Sequence, residues 1–230
     1  MAKVEIYSAQ VCPFAQRSRL TLLEKGVDFE VIEIDLNHKP DWFQSVSPYL
    51  KVPVVKVGDD RVWESSIINE YLEEVFPDPP LMPPTPVQRA IARIWIDFAN
   101  NQFIPAFYKL LMAQEGDRQR EWATQLSAHL RFLEYEGLRK TSEGPFWLGD
   151  RVSLVDLTYA PWFERWSALS HYRGIKIPAE YTRLHQWWQA MQARPSMQAT
   201  QQPAEYHIAA YEKYANDTAT GITAQELRRT

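Results

Sequence analysis

The stretch Tyr7-Ser8-Ala9-Gln10-Val11-Cys12-Pro13-Phe14-Ala15-Gln16-Arg17 decides the fold, because it marks the change from a strand to a helix. Residues 4–7 before Cys12 have a strand pattern, and residues 14–25 after it have a helical pattern that ends at Gly26. Cys12 is therefore predicted to lie at the start of a helix. Unpaired backbone N–H groups and the positive end of the helix dipole meet at such a position.

This position favours a reactive thiol at Cys12. Pro13 suits the first helical position because it has no N–H group to leave unpaired. The helix start stabilises a thiolate, and the charges of Arg17 and Arg19 on the same helix add to that effect. We therefore expect the pKa of Cys12 to lie below its ordinary value. The alternative is that Cys12 is a small buried apolar residue without chemistry.

Cys12 is the only cysteine among the 230 residues. A disulfide oxidoreductase usually has a second cysteine three positions on, where this chain has Ala15. The chain cannot close an internal disulfide, so any disulfide formed at Cys12 must be resolved by a thiol from another molecule. A small thiol such as glutathione fits that role.

Composition narrows the class of protein. A formal charge of −4 gives no reason to expect nucleic acid or an anionic membrane as a partner, and 45% hydrophobic residues suffice for a packed core. One cysteine and five histidines without ligand spacing predict no metal site. No apolar run approaches the ~20 residues that span a bilayer. We expect a soluble cytoplasmic protein.

The first 78 residues alternate between strand and helix patterns. Strand, helix, strand is followed by a short helix, a hairpin and a last helix, which is the order of a thioredoxin-like α/β domain. These elements are predicted at residues 4–7, 14–25, 29–34, 40–47, 52–57, 61–63 and 65–76.

Residues 79–86 contain five prolines and are predicted to be a semi-rigid linker without helix or sheet. Residues 87–214 are predicted to form an all-α domain, with a first helix kinked by Pro105 and a capping box at Ser153 and Asp156. Residues 215–230 are polar and without periodicity, so we expect a frayed C-terminal tail.

These features together resemble the cytosolic glutathione transferases over about residues 3–212. Cys12-Pro13-Phe14 is similar to the omega class, and to the lambda and dehydroascorbate reductase classes, in which cysteine replaces the usual catalytic tyrosine or serine. Further matches follow in the family's order: Asn37-His38-Lys39-Pro40-Asp41-Trp42-Phe43, Val52-Pro53-Val54, Glu64-Ser65 and Pro161-Trp162-Phe163-Glu164-Arg165.

The resemblance implies a site for glutathione as co-substrate. It implies that Pro53 is cis and that the Val52 backbone pairs with the cysteinyl part of glutathione. Glu64 would hold the γ-glutamyl ammonium and Ser65 its carboxylate, while Lys39 would face the glycyl carboxylate and Phe14 would flank the thiol. Each of these residues could instead have a purely structural role. Taken together, however, they match the charges of one tripeptide, and this favours a glutathione-binding site. The second substrate would contact Trp162 and Arg165.

The predicted function is glutathione-dependent thiol transfer, or reduction of a disulfide or dehydroascorbate, with Cys12 as nucleophile. One alternative is conjugation of glutathione to an electrophile, with Tyr7 or Ser8 as the donor to its thiolate. Another is a non-enzymatic relative, such as a polymerase-associated starvation protein or a chloride-channel-like protein. The resemblance also implies a homodimer.

Overall fold

The computed structural model of the protein describes residues 3–229. Its N-terminal part is a four-stranded sheet with three helices, and the rest of the described chain is helical. The elements of the N-terminal part are β1 (Val4–Ser8), α1 (Pro13–Glu24), β2 (Glu30–Glu33), α2 (Phe43–Val46), β3 (Val54–Val57), β4 (Asp60–Trp63) and α3 (Ser65–Val75). The helices that follow are α4 (Pro86–Phe98), α5 (Ile104–Met112), α6 (Gly116–Phe132), α7 (Arg139–Thr141), α8 (Leu154–Glu164), α9 (Trp166–Arg173), α10 (Thr182–Gln192), α11 (Pro195–Thr200), α12 (Ala204–Ala215) and α13 (Ile222–Arg229).

The sheet has the order β2-β1-β3-β4, with β1 parallel to β2 and antiparallel to β3. One face packs on α1 and α3 through residues such as Ile6, Leu22 and Ile68. The other face packs on α2 through Tyr7, Phe43 and others. Crossing from β1 to β2 through α1 places the start of α1 at the carboxyl end of the central strand. The predicted thioredoxin-like α/β domain and the all-α domain are both confirmed.

The proline-rich segment is anchored to the first domain. Residues 76–85 contain neither helix nor strand, and Leu81 and Met82 are buried within them. Their backbone N–H groups donate to the Glu73 carboxylate at 2.9 and 3.0 Å, and Lys25 forms an ion pair with the same carboxylate. Pro86, predicted as linker, is instead the first residue of α4, where Thr85 caps the helix.

The first helix of the all-α domain is interrupted where the sequence predicts a kink. A π-helical turn at Ala99–Phe103 joins α4 to α5, and Pro105 is the second residue of α5. A proline inside a helix lacks one N–H donor and crowds the preceding turn, and a wider turn accommodates both effects. A second π-helical turn, Leu133–Leu138, joins α6 to α7.

Helix α8 packs against α1 and joins the two domains. Its start is fixed by the predicted capping box, because the Ser153 N–H donates to the Asp156 carboxylate at 2.7 Å. The same carboxylate accepts from the Trp147 N–H at 2.8 Å and from Trp187 Nε1 at 2.7 Å. Asp156 therefore fixes the start of α8, the helix that packs on α1.

The prediction of a frayed C-terminal tail is wrong for residues 222–229, which form α13. Ala219 and Ala224 are buried, and α13 packs on α5. Arg228 donates to the Asp217 carboxylate at 2.8 Å, which closes the segment on itself. The polar sequence hides this helix because its stability comes from contacts with distant parts of the chain.

Candidate active site

Cys12 occupies the N-cap position of α1, with extended backbone angles of φ −82° and ψ 116°, and Pro13 is the first helical residue. The thiol is partly buried. Its sulfur lies 3.9 Å from the carbonyl oxygen of Val52, the residue before the cis peptide bond to Pro53. The predicted helix-start position and the predicted cis proline are both confirmed.

The pKa of Cys12 lies above its ordinary value, because burial disfavours the charged form. The backbone N–H groups of Ala15 and Phe14 and the charges of Arg165 and Arg19 act in the opposite direction without offsetting that burial. The prediction of a lowered pKa is therefore wrong for this arrangement. The stabilising groups are present as predicted, but the sequence did not reveal how much of the thiol is covered.

The start of α3 lies on the other side of the Val52–Pro53 turn. Glu64 has a left-handed φ of +68°, which is uncommon for a residue with a side chain and is concentrated at functional sites. Ser65 follows as the first residue of α3 and is buried. Its hydroxyl oxygen accepts from Arg17 Nη1 at 3.3 Å, which leaves the hydroxyl hydrogen free to donate to a ligand.

Two cavities meet at Lys51, Val52 and Thr223, which line both of them. The larger, of about 220 Å³, is a groove beside the start of α3; the smaller, of about 120 Å³, contains the thiol. The groove is further lined by Phe14, Ser47, Tyr49, Pro53, Trp63, Glu64, Ser65 and Glu226. The thiol cavity is further lined by Cys12, Leu36, Asn37, Lys39, Leu50, Lys213, Tyr214, Ala219 and neighbouring residues of the segment 218–222.

Family models match both parts of the chain. The model described as glutathione S-transferase, N-terminal domain, matches residues 11–75, and the one described as glutathione S-transferase, C-terminal domain, matches residues 105–190. The chain belongs to the glutathione S-transferase family. The first match begins one residue before Cys12 and ends with α3, so it contains both sides of the site.

Individual relatives agree with this assignment. This family member is 34% identical over 207 residues to "Probable glutathione S-transferase DHAR1, cytosolic" of Oryza sativa subsp. japonica, which covers 89% of this chain and 91% of the relative. Among solved structures, glutathione transferase Omega 3C from Trametes versicolor has a TM-score of 0.84 and 30% identity, covering 94% and 92% of the two chains. Rice GST1 (OsGSTU1), solved in complex with glutathione, has a TM-score of 0.84 and 25% identity, covering 95% and 99%. The resemblance to the omega and dehydroascorbate reductase classes is confirmed.

The structure of this family member brings the predicted catalytic and glutathione-binding residues together. Phe14, Pro53, Glu64 and Ser65 line the groove, Cys12 and Lys39 line the thiol cavity, and Val52 lines both. Lys39 is half-buried, and burial lowers its pKa. These positions are far apart in sequence and meet because β1, β2 and β4 end, and β3 begins, at one edge of the sheet.

Trp162 and Arg165 lie deeper than the sequence predicts. Trp162 is fully buried and its ring packs edge-to-face on Phe14 with ring centres 4.9 Å apart. Arg165 is 1% exposed, and its guanidinium faces Val11 and Gln16. Neither lines the two cavities, because the inner face of α8 packs on α1. Their direct contact with a second substrate stays a prediction, and this burial does not favour it.

Sequence reasoning missed the contribution of the C-terminal segment. Thr223 and Glu226 of α13 line the groove, and Glu226 forms an ion pair of 2.6 Å with Lys51. Tyr214 at the end of α12 lines the thiol cavity. Lys51 could have been found as the neighbour of Val52, but no motif marks Thr223 or Glu226.

No helix formed by residues 3–229 combines the length and the apolar character that a membrane span requires.

Proposed function

We propose that this protein catalyses glutathione-dependent thiol transfer, or the reduction of a small disulfide or of dehydroascorbate, through a mixed disulfide at Cys12. The observation that carries the proposal is that the two cavities adjoin: the thiol cavity and the groove beside Glu64 and Ser65 share Lys51, Val52 and Thr223 in their walls. A tripeptide lying in the groove would present its own sulfur to Cys12. We place this activity in the cytoplasm, in line with the rice relative, which is named as cytosolic.

The groove has charges that fit glutathione. The Glu64 carboxylate would bind the ammonium of the γ-glutamyl residue, and the Ser65 hydroxyl with the N-terminal amides of α3 would bind its carboxylate. The backbone of Val52 would pair with the cysteinyl residue, as an added strand does at a sheet edge. Lys39 and Lys51 at the far end would bind the glycyl carboxylate.

With a glutathionylated substrate, two displacements complete the reaction. The Cys12 thiolate attacks the glutathionyl sulfur, a new S–S bond forms, and the substrate leaves as a thiolate that takes a proton from solvent. A second glutathione thiolate then attacks the glutathionyl sulfur on Cys12. Glutathione disulfide leaves, and the Cys12 thiolate returns. When the first substrate is oxidised but contains no disulfide, two glutathione molecules supply the two electrons that reduce it.

Dehydroascorbate fits the same scheme. The Cys12 thiolate adds to a ring carbonyl carbon, and glutathione thiolate attacks the sulfur of that adduct. The C–S bond breaks, its electron pair stays with the ring, and two protons from solvent complete the reduced enediol. The mixed disulfide of Cys12 and glutathione remains, and a second glutathione resolves it as before.

The placement of Tyr7 and Ser8 favours thiol transfer over conjugation. A conjugating transferase needs a hydroxyl donor beside the glutathione thiolate, and the sequence offers these two residues. Both are buried in β1, and neither lines the groove or the thiol cavity. Cys12 holds the position where such a donor would act, and a thiol there would form a disulfide with glutathione.

We expect the purified protein to take up one glutathione when incubated with glutathione disulfide. The Cys12 thiolate would displace one glutathione thiolate from the disulfide, and no second cysteine exists to remove the adduct. Intact-mass measurement should show a single adduct that a reductant removes and that Cys12→Ser lacks. A wild-type protein that stays unmodified over hours would contradict the proposed mechanism and leave the non-enzymatic alternative.

We further propose a homodimer, which an exposed apolar face supports. Ile67 on α3 and Val87 and Ile94 on α4 are each more than half exposed. Arg93 and Glu70 join these two helices by an ion pair of 2.7 Å, so their side chains belong to one surface. A second copy of the chain would cover this face, and the site edge at α3 would lie close to it.

Light scattering at micromolar concentration should give twice the chain mass for the wild-type protein. Ile94→Asp should give the monomer mass at the same concentration, because a charge in the centre of an apolar interface disfavours association. Val31→Asp on the exposed edge of β2 is the matched control and should remain dimeric. A monomeric wild-type protein would exclude the proposed dimer and leave the proposed chemistry untouched.

A further inference from the structure

The guanidinium of Arg165 is a buried cation held entirely by neutral oxygen atoms. Nη1 donates to Gln16 Oε1 at 2.5 Å and to the Pro161 carbonyl at 2.8 Å, and Nη2 donates to the Val11 carbonyl at 3.2 Å. Nε is buried without a hydrogen-bond partner among the described residues. A buried charge normally has an anion beside it, because leaving it unpaired costs several kcal/mol.

The carboxylate nearest in sequence is already engaged elsewhere. Glu164 accepts from His207 Nε2 at 2.8 Å and from Gln16 Nε2 at 2.5 Å, and it forms no ion pair with Arg165 within residues 3–229. Gln16 thus uses its amide N–H₂ on Glu164 and its amide oxygen on Arg165. This fixes which way the Gln16 amide points and holds the guanidinium against the backbone of Val11, one residue before Cys12.

We propose that Arg165 is the counter-charge of the Cys12 thiolate, held in that position by Gln16 and by the Val11 and Pro161 carbonyls. The inference rests on the proposed function, since only a reactive thiol needs such a partner. It gives Arg165 the role of a positioning residue that acts through Cys12, in place of a contact with the second substrate.

Other ionisable groups also face the thiol, and they are less suited to this role. Arg19 and Lys39 are half-buried, Lys51 is paired with Glu226, and Lys213 is exposed. Arg17 is buried but directs its donors to Ser65, Asn100 and the Thr158 carbonyl. Tyr211 and Tyr214 approach from α12 and are uncharged near neutral pH, since burial raises the pKa of both. Arg17 and Arg165 are both fully buried and form no ion pair within residues 3–229, but of the two only Arg165 donates to the backbone of the residue before Cys12, at the Val11 carbonyl.

The electrostatic interactions agree with the geometry. The charge of Arg165 lowers the pKa of Cys12, although burial of the thiol has the larger, opposite effect. It also lowers the pKa of Tyr211, whose own upward shift is dominated by burial. Burial acts to raise the pKa of Glu164, but the hydrogen bond from His207 and the charge of Arg165 help to lower it below its ordinary value, yet Glu164 and Arg165 form no ion pair within residues 3–229. The effect of the Arg165 charge on a nearby thiol is stronger in this dry environment than it would be in water.

The test measures the thiol directly. The rate of alkylation of Cys12 by iodoacetamide, followed from pH 6 to 10.5, gives the apparent pKa of the thiol without any enzymatic turnover. We expect Arg165→Gln and Arg165→Met to raise that pKa by about one unit, which slows alkylation at neutral pH about tenfold. Arg165→Lys keeps the charge and should restore most of the wild-type rate.

Arg173 provides the matched control. Its guanidinium also donates to backbone carbonyls, those of Leu110 and Ala215 at 3.1 and 2.7 Å, and it has no ion pair within the described chain. Neither Arg173 nor these two partners line the thiol cavity. Arg173→Gln should lower the thermal stability and leave the thiol titration unchanged. The proposal would be overturned if the apparent pKa of Cys12 shifted equally in Arg165→Gln and Arg173→Gln, or did not shift in Arg165→Gln.

Loss of folding would also be decisive. The alkylation titration of the Arg165 variants is repeated in sucrose, which favours the compact state. A variant counts as folded when its circular dichroism spectrum matches that of the wild-type protein. If both neutral variants stay unfolded there, the charge serves the fold and the proposal is wrong. Because alkylation needs no glutathione, failure of this inference leaves the adduct experiment, and with it the proposed function, standing.

Discussion

Cys12→Ser should lose glutathione-dependent reduction of mixed disulfides and of dehydroascorbate by roughly a thousandfold or more in kcat/KM. A serine hydroxyl is not a nucleophile towards sulfur at neutral pH, and the chain contains no other cysteine to replace it. The fold should survive, because the Cys12 side chain makes no helix-capping hydrogen bond and its one polar contact, to the Val52 carbonyl at 3.9 Å, is weak.

Three measurements on this variant separate the possible outcomes. Its Tm should lie within a few degrees of the wild-type value, and retention on immobilised glutathione should persist, since the groove is built by other residues. Conjugation of an aryl halide should rise, because a serine hydroxyl can donate to the glutathione thiolate. Undiminished reduction by Cys12→Ser would rule out the proposed mechanism.

Removing residues 218–230 should make Cys12 react about tenfold faster with iodoacetamide at pH 7. In the full chain Thr223 lines both cavities, and the segment before it covers the thiol. Burial is the main cause of the raised thiol pKa, so uncovering the thiol must lower that pKa. Each unit of lowering gives ten times more thiolate at any pH below the pKa, and the whole rate profile moves to lower pH.

The same truncation should lower the KM for glutathione. Glu226 occupies Lys51, one of the cations that would bind the glycyl carboxylate, and its removal frees that cation. Glu226→Gln alone should have a smaller effect in the same direction, because an ion pair this exposed contributes only about 0.2–1 kcal/mol. Glu136→Gln, which breaks the exposed ion pair with Lys140, is the matched control. It should change neither the KM for glutathione nor the alkylation rate of Cys12.

If the truncated chain keeps its Tm but shows the wild-type thiol pKa, the C-terminal segment does not control the thiol. A lower Tm together with faster alkylation needs one more observation. Alkylation at a temperature well below both transitions should still be faster, because the effect is local to the thiol cavity.

The elements of the first domain could be predicted because their patterns are local. A few neighbouring residues are enough to predict the strand–helix change around Cys12, the hairpin after Val52 and the helix after Glu64. The site itself could be predicted only through the resemblance, because nothing in a single sequence says that residues 12, 39, 52 and 64 meet. The structure supplies the reason: residues 12, 39 and 64 follow the ends of strands, and residue 52 precedes the start of β3, all at one edge of the sheet.

The errors have a common physical origin, which is burial by distant parts of the chain. The helix start of Cys12 indicates a low pKa, but burial raises that pKa, and part of the wall of the thiol cavity comes from residues about 200 positions later in the chain. The polar segment after Asn216 has no core pattern, yet it folds where Ala219 and Ala224 meet a preformed surface. Arg165 belongs to a recognisable motif, but a motif does not say which way a side chain on a packed helix faces.

The solitary cysteine has a consequence for redox sensing. A protein with several thiols distributes oxidation over many disulfides, whereas this chain has one sulfur that can exchange with glutathione disulfide. At equilibrium, the glutathionylated fraction would depend on a single ratio, that of glutathione disulfide to glutathione. The proportion of adduct recovered from a cell would then record that ratio at the moment of extraction, much as the colour of a one-step indicator records pH.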